Sequence, residues 1–271
     1  MIRTPSGIQR VADVFPRCRA EQRAAVMPYL TIGYPTPERS LALVEAAVEG
    51  GADLLELGIP FSDPVADGPT IQRATQIALE QGMTVERCLE AAAELRQRGV
   101  TRPFLFMGYY NPILAYGEEA FCAACREIGV DGLIVPDLPP GEGERLASGC
   151  RDQGLARVHL VAPTTPTERV RAISQRSEGF IYLVSITGVT GARQRLSSDL
   201  KGFVERVREV TDKPLAVGFG ISGPEQAAEV AAVADGVIVG SALLRRAAQA
   251  DGIEQVRGFV ADLRRAARRA R

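Results

Sequence analysis

The sequence predicts one (β/α)8 barrel, a TIM barrel, occupying residues 1–271 as a single domain, with an extra N-terminal helix and a C-terminal closing helix. Three observations carry that expectation. Eight short runs are almost continuously Val, Ile, Leu or aromatic, as parallel strands buried on both faces must be. Amphipathic segments of helical spacing alternate with them from end to end. No linker or low-complexity stretch divides the 271 residues, and a single α/β barrel commonly fills that length.

Taken in order, residues 6–20 suggest a leading helix that covers the bottom of the barrel. The strand runs are AVMPYLTIG (25–33), ADLLELGIP (52–60), PFLFMGYY (103–110) and DGLIVPDLP (131–139). They continue with ARVHLVAP (156–163), GFIYLVSITG (179–188), PLAVGFGIS (214–222) and DGVIVGSAL (235–243). Between them lie helical segments such as PERSLALVEAAVEGG and TVERCLEAAAELRQRG, and Gly50, Gly99, Gly129 and Gly154 are placed as left-handed caps at helix ends. Prolines follow soon after strands, at Pro60, Pro112, Pro163 and Pro224. In the C-terminal RGFVADLRRAARRAR, Phe259, Val260 and Leu263 recur at helical spacing. That segment reads as a closing helix with a solvated Arg face rather than a nucleic-acid tail. A doubly wound open sheet is the alternative fold, but no G-x-G-x-x-G follows the first strand to support it.

Composition narrows the chemistry. Net charge is −1, so no global field gathers nucleic acid or anionic lipid. Of 32 basic residues, only Lys201 and Lys213 are lysine; His159 is the one histidine, and tryptophan is absent. His159 alone cannot build a multi-histidine zinc site, and it reads as a satisfied structural histidine within its strand. Lys213 precedes the seventh strand, the wrong end for a Schiff base. The five cysteines are scattered, and Cys122 and Cys125 form a C-x-x-C inside a helical run, where they read as small apolar residues. With no apolar leader and no 18-residue apolar run, a cytoplasmic protein is expected. Carboxylates, hydroxyls and backbone amides remain as the working groups.

Barrel sites form in the loops after the strands. The richest is LLELGIPFSDPVADGPTIQRA, with Glu56, Asp63 and Asp67. Glu56 is the odd residue in an apolar strand and shares a face with Leu54, opposite Leu55 and Leu57. If that face is the interior, burial raises its pKa and suits it to proton transfer; the alternative is a structural Glu bonded to backbone amides. Asp63 and Asp67 taken singly read as turn or cap residues. Glu56 with Asp67 eleven residues on offers two carboxylates of different burial facing one pocket. Late glycines Gly218, Gly220 and Gly240, with Ser222 or Ser241 opening the next helix, suit a phosphate. SITGVTGARQRLS after strand six is polar and lid-like, and Tyr182 can turn its hydroxyl inward or serve as core.

The segment LELGIPFSDPVADGPTIQ, with MGYYNPI (107–113), VPDLP (135–139), SITGVTG (185–191), GFGIS and VGSAL, closely resembles the tryptophan synthase alpha chain family, over about residues 8–260. The resemblance implies a carbon–carbon lyase cleaving indole-3-glycerol phosphate to indole and glyceraldehyde 3-phosphate. It implies Glu56 as acid/base, Asp67 as the second carboxylate and Tyr182 beside the glutamate. Met107 and Tyr109 match lining positions, and Tyr29 stands where some members have phenylalanine. Thr190 matches a lid threonine, and Gly191, Phe219, Gly220, Gly240 and Ser241 match the phosphate side. No cofactor is implied in this chain. Pyridoxal phosphate belongs to a beta chain, in an alpha2-beta2 complex whose contacts fall around Pro60, Asp63 and Asp137. Two rivals remain: another phosphate-binding barrel, such as a sugar-phosphate isomerase or epimerase, and a catalytically silent activator of a beta partner.

Overall fold

The computed structural model describes residues 5–184, 200–218 and 220–268. Within them, eight parallel strands close in sequence order: β1 (Ala25–Thr31), β2 (Leu55–Gly58), β3 (Phe104–Met107), β4 (Gly132–Ile134), β5 (Ala156–Val161), β6 (Ile181–Val184), β7 (Leu215–Gly218) and β8 (Gly236–Val239). β8 returns to β1 with Ala25 opposite Gly236 and Pro28 opposite Val239. All eight strand runs therefore form, each trimmed at its ends because the flanking residues turn into loops. The helices form an outer ring, and their apolar faces pack on the strands.

The register decides which side chains share the interior. Tyr29 lies opposite Glu56, Glu56 opposite Leu105, and Tyr182 opposite Ala216. A side chain at Gly58 would collide with the Tyr29 hydroxyl, and one at Gly218 with the Tyr182 hydroxyl. A Cβ at Gly132 would stand 2.9 Å from Leu105, and one at Gly236 3.0 Å from the Met27 sulfur. Large residues on one strand thus fill the room left by glycine on the next, which packs the barrel interior in layers.

Four acidic residues brace the bottom. Asp53 accepts Val26 N–H at 3.0 Å while its own N–H donates to the Val26 carbonyl at 2.9 Å. Asp131 does the same with Phe104 (2.9 and 3.0 Å), Glu178 with Arg157 (2.9 and 2.8 Å) and Asp235 with Leu215 (3.0 and 2.8 Å). Each sits just ahead of an even-numbered strand and grips the start of the preceding odd one. Arginines neutralise three of them: Arg23 binds Asp53 through both oxygens at 2.5 and 2.8 Å, Arg10 and Arg96 hold Asp131, and Arg208 holds Asp235. Such fork-shaped, hydrogen-bonded pairs are the geometry in which buried charge is tolerated.

Three local expectations change. The leading segment is two helices, Gly7–Ala12 and Val14–Ala20, joined at Asp13. Pro16 has no N–H for the Ala12 carbonyl and its ring crowds that group, so one continuous helix cannot form. Both pieces do lie at the bottom, where Arg10, Arg17 and Arg19 reach Asp131, Asp53 and Asp235. Gly50 is right-handed (φ −66°), and Gly51 takes the left-handed conformation (φ 98°). Gly50 is instead small for packing, since a Cβ there would lie 2.5 Å from the Arg257 carbonyl of the closing helix Gly252–Ala266. Ser222 does not cap a helix; Gly223 and Gly240 occupy the caps before Pro224–Val233 and Ser241–Ala247. The closing helix buries Phe259, Val260 and Leu263 as expected. Cys122 and Cys125 are buried in the helix Glu118–Ile128. Among the described residues no helix is long and apolar enough to cross a membrane.

Asp53 and Arg23 are both almost wholly buried, so removing Asp53 takes away two of the bonds that hold the Arg23 guanidinium and leaves it to Glu21 and the Ala24 carbonyl. Asp53→Ala is expected to lower stability by about 3–5 kcal/mol, read as the shift in urea midpoint at constant slope.

Candidate active site

Glu56 points into the barrel with 0% exposure. Neither carboxyl oxygen has a hydrogen-bond partner among the described residues. Among the described residues, the structural alternative, a glutamate bonded to backbone amides, is therefore not realised. Burial alone pushes its pKa from the usual 4.5 up to about 8, so the group is a neutral acid at pH 7.

Asp67 arrives from the loop after β2. Gly68 caps the helix Pro69–Glu80, which leaves the Asp67 side chain free of cap duty. It turns instead toward Tyr109, whose hydroxyl donates to Oδ2 at 3.0 Å and accepts Ala66 N–H at 3.0 Å. Oδ1 is buried with no hydrogen-bond partner among the described residues. Burial raises Asp67 to about 6, opposed by the Tyr109 hydrogen bond. The two carboxyls thus differ in ionisation near neutrality, which separates an acid role from an anionic one.

Two phenols complete the interior. Tyr29 and Tyr182 are raised well above the ordinary tyrosine range, first by burial and then by carboxylate fields: Asp67 before Glu56 for Tyr29, Glu56 before Asp67 for Tyr182. Both carboxyls and both phenols therefore share one electrostatic neighbourhood. Thr31 Oγ1 donates to the Tyr29 hydroxyl at 3.3 Å. Met107 is buried on β3, two residues beyond Leu105 on the same face.

The loops after β7 and β8 bring Gly220 and Gly240 to the same end. Gly220 has φ 82°, and a Cβ added there would meet no other atom within 4 Å. Its backbone therefore lies open to a ligand, in a conformation that favours glycine. At Gly240 a Cβ would stand 3.3 Å from the Tyr29 ring, which connects this loop to the carboxylate pocket. Ser241 is the first residue of its helix and is half-buried. Ser222 bonds Gln226 Oε1 through its amide (2.6 Å) and hydroxyl (2.8 Å). Thr190, Gly191 and Phe219 lie outside the described residues.

Of the partner-surface candidates, Asp63 and Asp137 are exposed, whereas Pro60 is buried. His159 differs from expectation: its amide donates to Ser177 Oγ, but Nε2 is buried with no hydrogen-bond partner among the described residues. Burial and the surrounding arginines push its pKa down to about 4, so it is neutral. Lys213 lies at the bottom, donating to the Ser174 and Ser177 carbonyls. Among the described residues no group of three or more His, Cys, Asp or Glu is placed to hold a metal. Sequence reasoning did not anticipate the Tyr109–Asp67 bond. Alternation from Leu105 through Met107 puts Tyr109 on the interior face, and that was the available signal.

Comparison with known proteins agrees with this geometry. The family model described as tryptophan synthase alpha chain matches residues 15–268. The chain belongs to the tryptophan synthase alpha chain family. It is 51% identical over 257 residues to the tryptophan synthase alpha chain of Chloroflexus aurantiacus, covering 95% of this chain and 97% of that one. To the alpha chain of Aquifex aeolicus it is 45% identical over 256 residues, covering 94% and 97%. A solved structure of Mycobacterium tuberculosis tryptophan synthase superposes with a TM-score of 0.88 at 42% identity, covering 96% of this chain and 98% of that one. Tryptophan synthase alpha chains are carbon–carbon lyases that cleave indole-3-glycerol phosphate, and membership implies a beta-chain partner.

A neutral buried acid destabilises the fold as pH rises. The unfolded chain ionises Glu56 near 4.5 and the folded one only near 8, so stability is fully present below 4.5 and is lost progressively between those values. Glu56→Gln is expected to raise stability at pH 7 by about 3 kcal/mol relative to its effect at low pH, with the gain vanishing below pH 4.5. Urea titrations at pH 4.5 and pH 7 measure this.

Proposed function

We propose that Glu56 and Asp67 together break the bond between indole C3 and the adjoining glycerol carbon of indole-3-glycerol phosphate. The observation that carries this reading is the pair itself: one buried neutral acid and one carboxylate with a buried oxygen, neither of which meets a hydrogen-bond partner among the described residues. Indole becomes a leaving group only when its ring can hold the bonding electrons. Glu56 delivers its proton to C3, giving an indolenine-like cation whose N–H is held by Asp67 Oδ1. The anionic Asp67 stabilises the charge that develops there. Glu56, now ionised, takes the proton of the glycerol hydroxyl. The aldehyde forms, the carbon–carbon bond breaks, and its electrons return to the ring to neutralise the cation. Glu56 ends the cycle protonated, so the step consumes no other acid or base.

Tyr182 and Tyr29 supply a dry wall against the ring, and Tyr109 and Met107 line the opposite side. Gly220, Gly240 and Ser241, with Gly191, receive the phosphate through backbone amides, and Thr190 and Phe219 are further substrate-binding residues. This assigns the whole chain, 1–271, to one cytoplasmic barrel unit with no cofactor of its own. The beta chain, carrying pyridoxal phosphate, docks around Pro60, Asp63 and Asp137 in an alpha2-beta2 assembly and takes up the indole. A sugar-phosphate isomerase shares the glycine loops, and the β2 segment that carries Glu56 and Asp67 is what argues against it. A silent activator has no need of a buried acid without a hydrogen-bond partner among the described residues, whose presence lowers stability at neutral pH.

The test is indole release by the purified chain, alone and with a beta chain. Glu56→Gln should reduce kcat by about 10²–10⁴ and Asp67→Asn by about 10²–10³, with phosphate-ligand binding retained. Because the chain has no tryptophan, bound indole is visible by its own fluorescence. Turnover should be bell-shaped in pH, rising as Asp67 ionises near 6 and falling as Glu56 ionises near 8. Wild-type turnover by Glu56→Gln, or a flat profile from pH 5 to 9, contradicts the assignment.

A further inference from the structure

Three loops at the top of the barrel are tied by a chain of hydrogen bonds that runs from the surface to the catalytic pocket. Asp137, exposed on the loop after β4, accepts the Tyr110 N–H through both carboxyl oxygens, at 3.0 and 3.2 Å. Tyr110 opens the short helix Tyr110–Tyr116, whose cap residue, Tyr109, makes no side-chain cap bond. The side chain of Tyr110 is held at its far end, where its hydroxyl donates to Glu118 Oε1 at 2.9 Å. That oxygen also accepts Leu146 N–H at 3.0 Å. Tyr110 is thus fixed at amide and hydroxyl, which fixes the backbone of Tyr109 beside it (φ −88°, ψ 157°). From that backbone the Tyr109 hydroxyl reaches Asp67 Oδ2.

We propose that Asp137 is a positioning residue for Asp67, acting through the Tyr110 amide and the Tyr109 hydroxyl. A carboxylate has two oxygens and rotates freely unless one is held. Tyr109 holds Oδ2, and that leaves Oδ1, buried and unpartnered among the described residues, as the oxygen aimed at substrate. Without Asp137 the first helical amide of Tyr110–Tyr116 loses its acceptor; Tyr110 keeps its hydroxyl bond to Glu118 and Gly108 its bond to the Ile134 carbonyl, but the Tyr109 hydroxyl is held less firmly on Asp67. Misplacement of a reacting group by about 1 Å costs up to about 10²-fold in rate. The inference rests on the reading that Asp67 serves the indole N–H.

The test is a double-mutant cycle in the full chain, assayed alone so that partner docking does not enter. Tyr109→Phe is expected to lower kcat about tenfold with KM changed less than about twofold. It also moves the acidic limb of the pH profile upward, because Asp67 loses the donor that opposes its burial. The phenols facing Asp67, which are Tyr29, Tyr109 and Tyr182, stay neutral over this range, so the limb reports Asp67. Asp137→Ala should lower kcat about three- to tenfold and move the limb the same way. Asp137→Asn, which keeps an acceptor for Tyr110, should recover most of that loss. In the Tyr109→Phe background, Asp137→Ala should add nothing. The inference is overturned if Asp137→Ala leaves the limb in place, adds its full loss to Tyr109→Phe, or is matched by Asp137→Asn. An Asp67→Asn chain that still releases indole sinks the reading of Asp67 itself. An inactive Asp67→Asn beside a silent Asp137→Ala sinks only the positioning role.

Discussion

Asp53 and Glu56 are three residues apart, both are fully buried, and their pKa values move in opposite directions. Asp53 meets Arg23, Arg264 and the Val26 amide, and those partners hold its carboxyl below the usual range against the cost of burial. Glu56 meets no hydrogen-bond partner among the described residues, and burial carries it up to about 8. A barrel that closes on itself makes both possible. Its bottom is a ring of acids gripping strand starts, three of them paired with arginine, while its top keeps one acid buried and without a hydrogen-bond partner among the described residues. The site depends on this contrast, because a neutral carboxylic acid at pH 7 exists only where water and cations are kept away.

Room for that acid comes from glycine. Gly58 and Gly218 lie where any side chain would strike the Tyr29 and Tyr182 hydroxyls, so the two phenols lie across neighbouring strands. Gly240 approaches the Tyr29 ring from β8, and the loop after β8 and the carboxylate pocket consequently share a wall. Asp67 is tuned differently. It is partly buried, it gains one hydroxyl donor, and it settles near 6. β2 and the loop after it thereby supply an acid, Glu56, and an anion, Asp67, whose ranges overlap at neutral pH.

Much of this was legible in the chain itself. The eight apolar runs became the eight strands because a parallel barrel buries both faces of every strand and leaves an unbroken aliphatic signature. Glu56 stood out because a carboxylate inside such a run has few explanations. Phe259, Val260 and Leu263 marked the closing helix by spacing alone. The break at Asp13 was readable from Pro16 but was masked by helical composition on either side. Gly50 looked like a left-handed cap, yet the close approach of the closing helix is what requires glycine there, and that contact lies over 200 residues away in sequence. Asp67 resembled a cap residue for the same reason: its partner Tyr109 is 42 positions further on.

The sequence by itself determined the strand order, the helix faces, the scarcity of lysine and histidine, and the two carboxylates available for acid–base work. These are properties of periodicity and composition, which local physics reads directly. Only the tertiary structure decided that Glu56 and the His159 Nε2 have no hydrogen-bond partner among the described residues, that Asp67 leans on Tyr109, and that Asp53, Asp131 and Asp235 at the strand starts find their arginines. Those outcomes depend on which groups from distant segments occupy the few ångströms around a buried charge. Closure of the barrel, rather than any local pattern, sets that distance.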